Sequence, residues 1–412
     1  MTATLVQADT NFVGCYVAMW AAEKFLKLKK MRLRKLIDTE KCEYNWKKIE
    51  KINEFDALKH AEQSPRWHKE GNAWNHTVAV CNEAIKVAKD EYFSDEDRLI
   101  FLAAALFHDI GKGPTTKIGK DGNWHSYGHE FEGEKMTRLL LWNEDVWLRE
   151  RICSLVRYHM EIEFIAESEK FLTKLVSISK AVKNLDMLIK LKECDLRGSI
   201  QADEEGKEIE LLKMQDIRDT AHSLGFLYGM AAVPEFYQYT WQKTLKAKNS
   251  GKPFTVVVPI GISGAGKSTW IKENYPDAVV ISRDSIREEL GYVKPGRKAV
   301  LSRQKEDRVS TIFNQRLTDA ARDGNKTIVL DNLNLKKKYR DAYKEQLSLY
   351  AVNWVYAYIE ARGGLQVNLE RRDGDLDMET LKGMVSVLEW PRPDEYDKFG
   401  VFTNGDDNEA EE

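Results

Sequence analysis

The sequence predicts a multidomain chain, in which an all-α helical domain is followed by an α/β domain with a parallel sheet. The first half is helical in pattern, because apolar residues recur at spacings of three and four. This pattern covers residues 97–107, 131–141, 147–158 and 172–193. In the second half, short β-branched runs alternate with charged helical segments, as in a parallel sheet. The predicted strands are 256–260, 278–282, 327–331 and 354–359.

A change of composition marks the boundary between the two domains. Residues 246–253 read KAKNSGKP, a run of polar and turn-forming residues that is typical of a linker. We therefore expect an N-terminal extension of unknown role, a helical domain, the linker, an α/β domain and a disordered acidic tail. Their predicted bounds are 1–45, 46–245, 246–253, 254–403 and 404–412.

The composition is typical of a cytoplasmic globular protein. Of the 412 residues, 42% are hydrophobic and 31% are charged. The five cysteines are scattered without a CxxC pair, which indicates reduced thiols. The longest early apolar stretch, 12–22, is too short to span a bilayer, so we expect no membrane partner. A net charge of −3 means that any nucleic-acid site must come from a local basic patch, and the oligomeric state stays open.

The strongest single motif is a phosphate-binding loop. Residues 261–268 read GISGAGKS, which fits GxxxxGK[ST] between a predicted strand and a predicted helix. The glycines let backbone N–H groups approach phosphates, Lys267 can reach the β- and γ-phosphates, and Ser268 can ligate Mg²⁺. The residues expected to bind a nucleoside triphosphate are Gly261, Ser263, Gly264, Ala265, Gly266, Lys267, Ser268 and Thr269.

The second predicted strand supplies candidate residues for the phosphate acceptor. Asp284 follows this strand at the carboxyl edge of the sheet, where ligands of such sheets bind. A carboxylate there can accept the proton of an attacking hydroxyl, and Arg287, one helical turn later, can hold an acceptor phosphate. A helix-capping aspartate followed by a surface arginine is the structural alternative.

The sequence GISGAGKSTW, followed by ISRDSIR and VLDNLN, resembles the 5′-hydroxyl polynucleotide kinases of the phage and bacterial end-healing type over residues 254–395. The resemblance implies that Lys267 and Ser268 bind ATP and Mg²⁺, that Asp284 is the general base and that Arg287 contacts the acceptor. It also implies that Asp331 and Asn334, near the third strand, contact the substrate. A lid would bring one or two arginines over the ATP phosphates, with Arg372 as first choice and Arg371 as second. Leu333 stands where the family has threonine, which leaves the register of that element open.

Two basic runs flank this predicted acceptor site. They comprise Lys294, Arg297, Lys298, Arg303, Lys305, Arg308 and Arg316, then Lys336, Lys337, Lys338 and Arg340. Charge runs are usually solvated helix faces, but their position here favours binding to a phosphate backbone.

The helical half holds all eight histidines and a second candidate site. His76, the pair His108-Asp109, His129, His159 and Asp195 occur in an order that suits divalent transition metals. The neighbouring His-Asp pair can place one ligand on each of two ions. A lone histidine in an apolar helix is usually structural, whereas the His-Asp pair is not a usual core feature.

This order of residues, with WHKEGNAWNHT and LFHDIGK, resembles the HD phosphohydrolase superfamily over residues 60–200. The resemblance implies one or two divalent transition metals that activate water to attack a phosphate. The first metal would be bound by His76, His108, Asp109 and Asp195, and the second by His129 and His159 with the catalytic Asp109 bridging. His68 and Lys112 are expected substrate contacts, although Lys112 also fits a solvated helix end. His125 is a rival to His129.

The combination of both halves resembles the HD-Pnk family of bifunctional end-healing enzymes. It implies that the kinase domain phosphorylates 5′-hydroxyl ends of RNA or DNA and that the HD domain removes 2′,3′-cyclic or terminal phosphates. No KxDG motif is evident, so a separate polynucleotide ligase would have to seal the ends. Two alternatives remain: an HD nucleotidase fused to a kinase of small metabolites, and an inactive HD scaffold that binds nucleic acid.

Overall fold

The structure is a computed structural model, and it describes residues 32–66, 68–90, 92–201, 203–228, 253–294, 301–324, 327–372 and 376–404. The expectations for the extension up to residue 31, for the apolar stretch 12–22, for the linker up to residue 252 and for the tail from residue 405 lie outside these residues. Arg297 and Lys298 of the first basic run also lie outside them.

The first described part is helical, as predicted from its 3.6-residue periodicity. Its helices are α1 Trp46–Ile49, α2 Asn53–Asp56, α3 Ala73–Asp90, α4 Asp95–Phe107, α5 Lys112–Thr115, α6 His129–Leu140, α7 Val146–Tyr158, α8 Glu161–Phe164, α9 Phe171–Val182, α10 Leu185–Gly198 and α11 Glu204–Ser223. Two short antiparallel pairs join them, β1 Ile37–Asp38 with β2 Glu43–Tyr44 and β3 Lys117–Ile118 with β4 Trp124–His125. None of the described helices is both long and apolar enough to cross a bilayer.

The helical core differs from the sequence prediction in two places. The single segment 172–193 is two helices, because Lys183 has a φ of +63° and Asn184 caps α10 by accepting a hydrogen bond from Met187 N at 3.0 Å. The core also begins before residue 46. Leu33 is fully buried, and the hydroxyl of Tyr44 donates to the Leu102 carbonyl at 2.8 Å, so residues 33–44 pack with the helical domain.

The second described part is an α/β domain with a five-stranded parallel sheet, which confirms the predicted fold class. Its strands are β5 Phe254–Ile260, β6 Val279–Ser282, β7 Ile328–Asp331, β8 Val352–Ala361 and β9 Lys398–Asn404. Its helices are α12 Lys267–Asn274, α13 Arg283–Glu289, α14 Arg303–Asp323, α15 Lys337–Gln346, α16 Leu365–Glu370 and α17 Met378–Ser386. The sequence analysis did not predict β9, whose KFGVFTN pattern lacks a β-branched run.

The strand order β6-β7-β5-β8-β9 sets the position of the nucleotide site. The chain leaves β5 toward β6 on one side and later returns to β8 on the other side. The topological switch point therefore lies at the carboxyl end of β5, where the phosphate loop begins.

Buried arginines join the two domains. Arg149 on α7 is fully buried, and its guanidinium donates to both carboxylate oxygens of Glu360 on β8, at 3.1 and 2.8 Å. Arg138 on α6 pairs with Glu150 at 2.8 Å and donates to the Leu388 carbonyl at 3.1 Å. Trp147 on α7 packs edge-on against Trp390. Because a buried charge is costly unless it is paired, these contacts hold the helical and α/β domains in one arrangement.

We expect Glu360→Gln to destabilise the protein by about 3 kcal/mol, because it removes one of the carboxylates that neutralise the buried Arg149. The measurement is the urea midpoint of unfolding. The matched control is Glu289→Gln, which breaks an ion pair with Arg316 whose side chains are 43% and 52% exposed and should cost under about 1 kcal/mol. Equal losses of stability in the two variants would contradict a stabilising role of the Arg149–Glu360 pair at the domain interface.

Candidate active sites

Helix ends bring the metal-type ligands of the helical domain together. His76 lies on α3, His108 and Asp109 directly follow α4, His129 opens α6, His159 follows α7 and Asp195 lies on α10. Gly111 permits this arrangement, since a Cβ at that position would lie 2.0 Å from the His129 carbonyl oxygen. The His-Asp turn can therefore pack directly against the start of α6.

Four of these residues form one group on one side of the Asp109 carboxylate. Asp109 Oδ2 lies 3.6 Å from His76 Nε2 and 3.4 Å from His108 Nε2. Asp195 Oδ1 lies 2.8 Å from His76 Nε2 and 3.8 Å from His108 Nε2. Both carboxylates of the expected first set of ligands thus lie near the same two imidazole nitrogens.

The remaining two histidines lie on the other side of the same carboxylate. Asp109 Oδ1 lies 3.2 Å from His129 Nε2 and 3.8 Å from His159 Nε2, and the two Nε2 atoms are 3.2 Å apart. His125 lies elsewhere, since its ring pairs with Asp121 at 2.9 Å and stacks on Tyr127. The geometry therefore places His129, and not its rival His125, in the cluster.

Lysines compensate the buried carboxylates of this site. Although burial disfavours its charged form, Lys112 and His108 hold the pKa of Asp109 well below its ordinary value, with Lys112 Nζ 2.6 Å from Oδ2. In the same way, Lys192 at 2.8 Å and His76 outweigh burial and lower the pKa of Asp195. Burial, His129 and His108 lower the pKa of His159, so this imidazole is neutral and able to ligate.

The donor set fits divalent transition metals. Imidazole nitrogens and carboxylate oxygens lie within 4.8 Å of one another in two groups that share Asp109. The ammonium group of Lys112 lies against Asp109 Oδ2, where a metal ion would bind, and also donates to Gln63 Oε1 at 2.7 Å. Lys112 is thus a buried counter-ion of the site, and a role in substrate binding would require it to move.

His68 lies beside the cluster. Its Nδ1 lies 2.8 Å from Glu70 Oε1, and its ring contacts the ring of His76 at a centroid distance of 4.5 Å. Burial lowers its pKa to about 4 against the effect of Glu70. His68 therefore supports His76 and Glu70 in this structure, and its expected contact with substrate stays a prediction.

In the α/β domain, the phosphate loop joins β5 to α12 and is braced from two sides. Gly264 and Gly266 have φ values of +78° and +92°, which favour glycine. Asn368 on α16 donates to the Ser263 carbonyl at 3.0 Å, and Asn404 at the end of β9 donates to the Ala265 carbonyl at 3.2 Å. The unpredicted strand β9 thus helps to shape the nucleotide site.

The loop places its functional side chains as the motif requires. Lys267 Nζ donates to the carbonyls of Gly261 and Ile262 at 2.9 and 3.0 Å, within the space that the loop encloses. Ser268 Oγ donates to Asp331 Oδ2 at 3.2 Å. Burial raises the pKa of Asp331, opposed by Lys267 and Ser268. Asp331 therefore lies next to Ser268, the residue expected to ligate Mg²⁺, a contact that sequence analysis did not predict, and its expected contact with the acceptor stays a prediction.

Asn334, the second residue expected to contact the acceptor, is 4% exposed. Its Nδ2 donates to the carbonyls of Pro259 and Leu330, and its Oδ1 accepts from the Tyr343 hydroxyl at 3.1 Å. These bonds hold a backbone with a φ of +53°. The structure therefore gives Asn334 a bracing role in the loop after β7.

The two residues of α13 that are expected to serve the acceptor lie together. Asp284 is exposed, and its Oδ1 lies 2.5 Å from Arg287 Nη1. Arg287 also pairs with Glu306 on α14, at 3.0 and 2.9 Å, a partner that sequence analysis did not identify. An acceptor phosphate would thus meet a guanidinium that two carboxylates already orient.

A cleft of about 1880 Å³ connects the phosphate loop with this pair. Arg371 and Arg372, the expected lid residues, line it, and Arg371 Nη2 donates to the Asn404 carbonyl at 3.3 Å. Ligand pockets usually have about 300–1000 Å³. The cleft is therefore large enough for a nucleotide together with a second substrate.

The basic runs are only partly available to a nucleic acid. Arg303, Lys305, Arg308 and Arg316 are exposed on α14. Arg340, in contrast, is fully buried and pairs with Glu395 at 2.7 Å, while it also donates to the Asn334 carbonyl. Arg340 is therefore a structural residue, which corrects its place in the predicted patch.

We expect the helical domain to bind two divalent metal ions. Asp109→Asn should lose both ions, because the Asp109 carboxylate is shared by the two groups of ligands. His129→Ala should lose one ion. Burial lowers the pKa of His76, but Asp195 and Glu70 outweigh this and raise it to about 9. Metal must displace this proton, so affinity should fall as the pH decreases below about 9. Metal analysis and titration calorimetry at several pH values provide the measurement. Stoichiometry unaffected by Asp109→Asn would contradict the bridging position.

We expect Asp331→Asn to raise the Mg²⁺ concentration needed for tight nucleotide binding by about tenfold, because the charge next to Ser268 is lost. Nucleotide binding without Mg²⁺ should stay unchanged. Calorimetry over a range of Mg²⁺ concentrations tests this, with the exposed Asp277→Asn as control. An unaltered Mg²⁺ dependence would return Asp331 to the acceptor role expected from sequence.

Comparison with known proteins agrees with the two-domain organisation. Residues 73–208 match a family model described as an HD domain, and residues 256–391 match one described as an AAA domain. The multifunctional CCA proteins of Actinobacillus pleuropneumoniae serotype 5b (strain L20) and serotype 7 (strain AP76) are each 31% identical over 157 residues. The alignment covers 37% of this chain, which spans only 35% of these curated relatives.

Among solved structures, a gluconokinase from Sinorhizobium meliloti 1021 aligns with 37% of this chain and 82% of its own, at 22% identity and a TM-score of 0.25. By the two family models, the chain carries an HD domain followed by an AAA-type P-loop domain, and the cluster of histidines and aspartates around Asp109 and the phosphate loop lie inside the matched ranges.

Proposed function

We propose that this chain heals the ends of broken nucleic acids with two separate active sites, as the HD-Pnk family does. In this proposal, the P-loop domain transfers the γ-phosphate of ATP to a 5′-hydroxyl end. The HD domain removes a 2′,3′-cyclic phosphate or a terminal 2′- or 3′-phosphate. A separate ligase would join the resulting ends.

The observation that carries the kinase proposal is the cleft that joins the phosphate loop to Asp284 and Arg287. In-line phosphoryl transfer needs a base beside the acceptor hydroxyl and positive charge around the transferred group. Asp284 is exposed in the cleft and accepts the hydroxyl proton, while Arg287 holds the acceptor phosphate. Lys267, Arg371 and Arg372 offset the charge on the transferred phosphoryl group.

The exposed basic residues of α14 support a polynucleotide as the acceptor. They are Arg303, Lys305, Arg308 and Arg316, on the helix that also supplies Glu306 to the cleft. None of the four lines the cleft, and Arg316 is paired with Glu289, but exposed cations on the helix that borders an acceptor site favour a chain of phosphates over a single small molecule.

For the HD domain, the paired ligand groups around Asp109 support hydrolysis of a phosphoester. Divalent metals bound there supply Lewis acidity, which activates water and offsets phosphate charge. The protein's own part is to hold the neutral imidazole of His159 and the ionised Asp109 and Asp195 in place.

The test is a 5′-hydroxyl RNA with a 2′,3′-cyclic phosphate end, incubated with γ-labelled ATP and Mg²⁺. We expect Asp284→Ala to lower 5′ labelling at least about 100-fold, as for a missing general base, and to leave 3′-end processing intact. Asp109→Ala should do the reverse. The exposed Asp277→Ala serves as control for both reactions.

Labelling of a small hydroxylated metabolite but of no RNA or DNA end would contradict the polynucleotide proposal and favour a metabolite kinase fused to an HD nucleotidase. Loss of both reactions in either single variant would contradict two independent sites.

A further inference from the structure

Three of the four clustered histidines orient their rings with a backbone carbonyl. The Nδ1 atoms of His108, His129 and His159 lie 2.9, 2.9 and 2.7 Å from the carbonyl oxygens of residues 105, 126 and 156. His108 and His159 directly follow helices, where the last carbonyls lack helical partners. Each contact favours a proton on Nδ1 and leaves Nε2 free to ligate.

His76 is different, because it lies inside α3, where the helix itself uses the carbonyls. Within the described residues, its Nδ1 faces no backbone carbonyl and instead lies 2.9 Å from Glu70 Oε1. Nε2 of the same ring points at Asp195 and Asp109, at 2.8 and 3.6 Å. A carboxylate therefore lies beside this Nδ1, where the other three rings have a carbonyl, at ion-pair distance but outside hydrogen-bond geometry in this structure.

Glu70 is itself fixed in position. Its side chain is 6% exposed, Oε1 lies 2.8 Å from His68 Nδ1, and Oε2 accepts from Ile200 N at 3.0 Å. Ile200 lies two residues after the end of α10, the helix that carries Asp195. The Lys69 amide also donates to the Ile200 carbonyl at 2.8 Å. Glu70 thus ties the approach to α3 to the end of α10, and both helices supply a ligand to the same metal position.

We propose that Glu70 is a positioning residue of the HD site, which orients the ring of His76 and makes Nε2 a stronger metal ligand. A carboxylate that accepts the Nδ1 proton fixes the tautomer and raises the basicity of the ring. His68 supports this arrangement as the second partner of the same oxygen. The consequence for hydrolysis rests on the proposed function, whereas the consequence for metal binding does not.

The test compares metal affinities of the full-length protein, measured with Mn²⁺ in competition with a chelator, and the absorption spectrum of the Co²⁺ form. We expect Glu70→Ala to weaken binding at one position about 10- to 100-fold and to change the Co²⁺ spectrum. Glu70→Gln keeps the shape and an acceptor oxygen, so it should restore part of the affinity. The urea midpoint of unfolding of each variant verifies that the chain is folded.

Glu130 provides a matched control. Its Oε2 lies 3.7 Å from His129 Nδ1, but that nitrogen already contacts the Ser126 carbonyl, so Glu130→Ala should keep both the affinity and the spectrum. Equal losses in Glu70→Ala and Glu130→Ala, or no loss in either, would overturn the proposal.

Glu70, His68 and His76 could alternatively ligate an ion of their own. A third metal ion in the wild type that Glu70→Ala removes without weakening the other two would overturn the positioning role. Wild-type protein that binds metal but hydrolyses no nucleic-acid phosphate would contradict the proposed function, and the affinity series would still decide the role of Glu70.

Discussion

The Asp109 carboxylate is the group on which the helical domain depends. It is buried among four histidines and paired with Lys112, and its two oxygens face different groups of ligands. A buried carboxylate is stable only when enough positive charge or hydrogen-bond donors surround it. The ends of α4, α6 and α7 must therefore meet at one place, and the absence of a side chain at Gly111 permits this.

The same requirement explains how the two domains are joined. Arg138 and Arg149 carry charge into the region between them, where Glu150 and Glu360 neutralise it. Burial disfavours the charged form of Glu150, but both arginines outweigh it and lower its pKa. Arg138 lies on α6, which begins with His129, and Arg149 lies on α7, which His159 directly follows. One pair of helices thus serves both the domain interface and the HD site.

The sequence was informative wherever the chemistry is local. The phosphate loop and the His-Asp pair are contiguous motifs, so their residues and even their flanking elements could be predicted. Contacts between distant residues could not. In the sequence, nothing distinguishes Glu70 from other acidic residues, and only the fold brings it next to Ile200 and His76. Glu306 pairs with Arg287 only because α14 packs beside α13. The register of VLDNLN could not show that Asp331 meets Ser268.

Charge patterns were the least reliable guide, for a physical reason. Arg340 follows three lysines and looks like part of a solvated basic face, yet its helical phase turns it inward to Glu395. Whether an arginine is exposed depends on a carboxylate far along the chain that can neutralise it. In the same way, the φ of Lys183 breaks a continuous apolar pattern that periodicity alone predicts as one helix.

The burial of Arg138 and Arg149 between the domains bears on how the chain can be dissected. A fragment cut at the polar segment 246–253 would separate Arg149 from Glu360 and Arg138 from the Leu388 carbonyl. Apolar surface around Trp147 and Trp390 would be exposed at the same time. Loss of an activity on truncation would then report damage to the remaining half and not the location of the active site. Point substitutions in the intact chain are the appropriate way to assign each reaction to its domain.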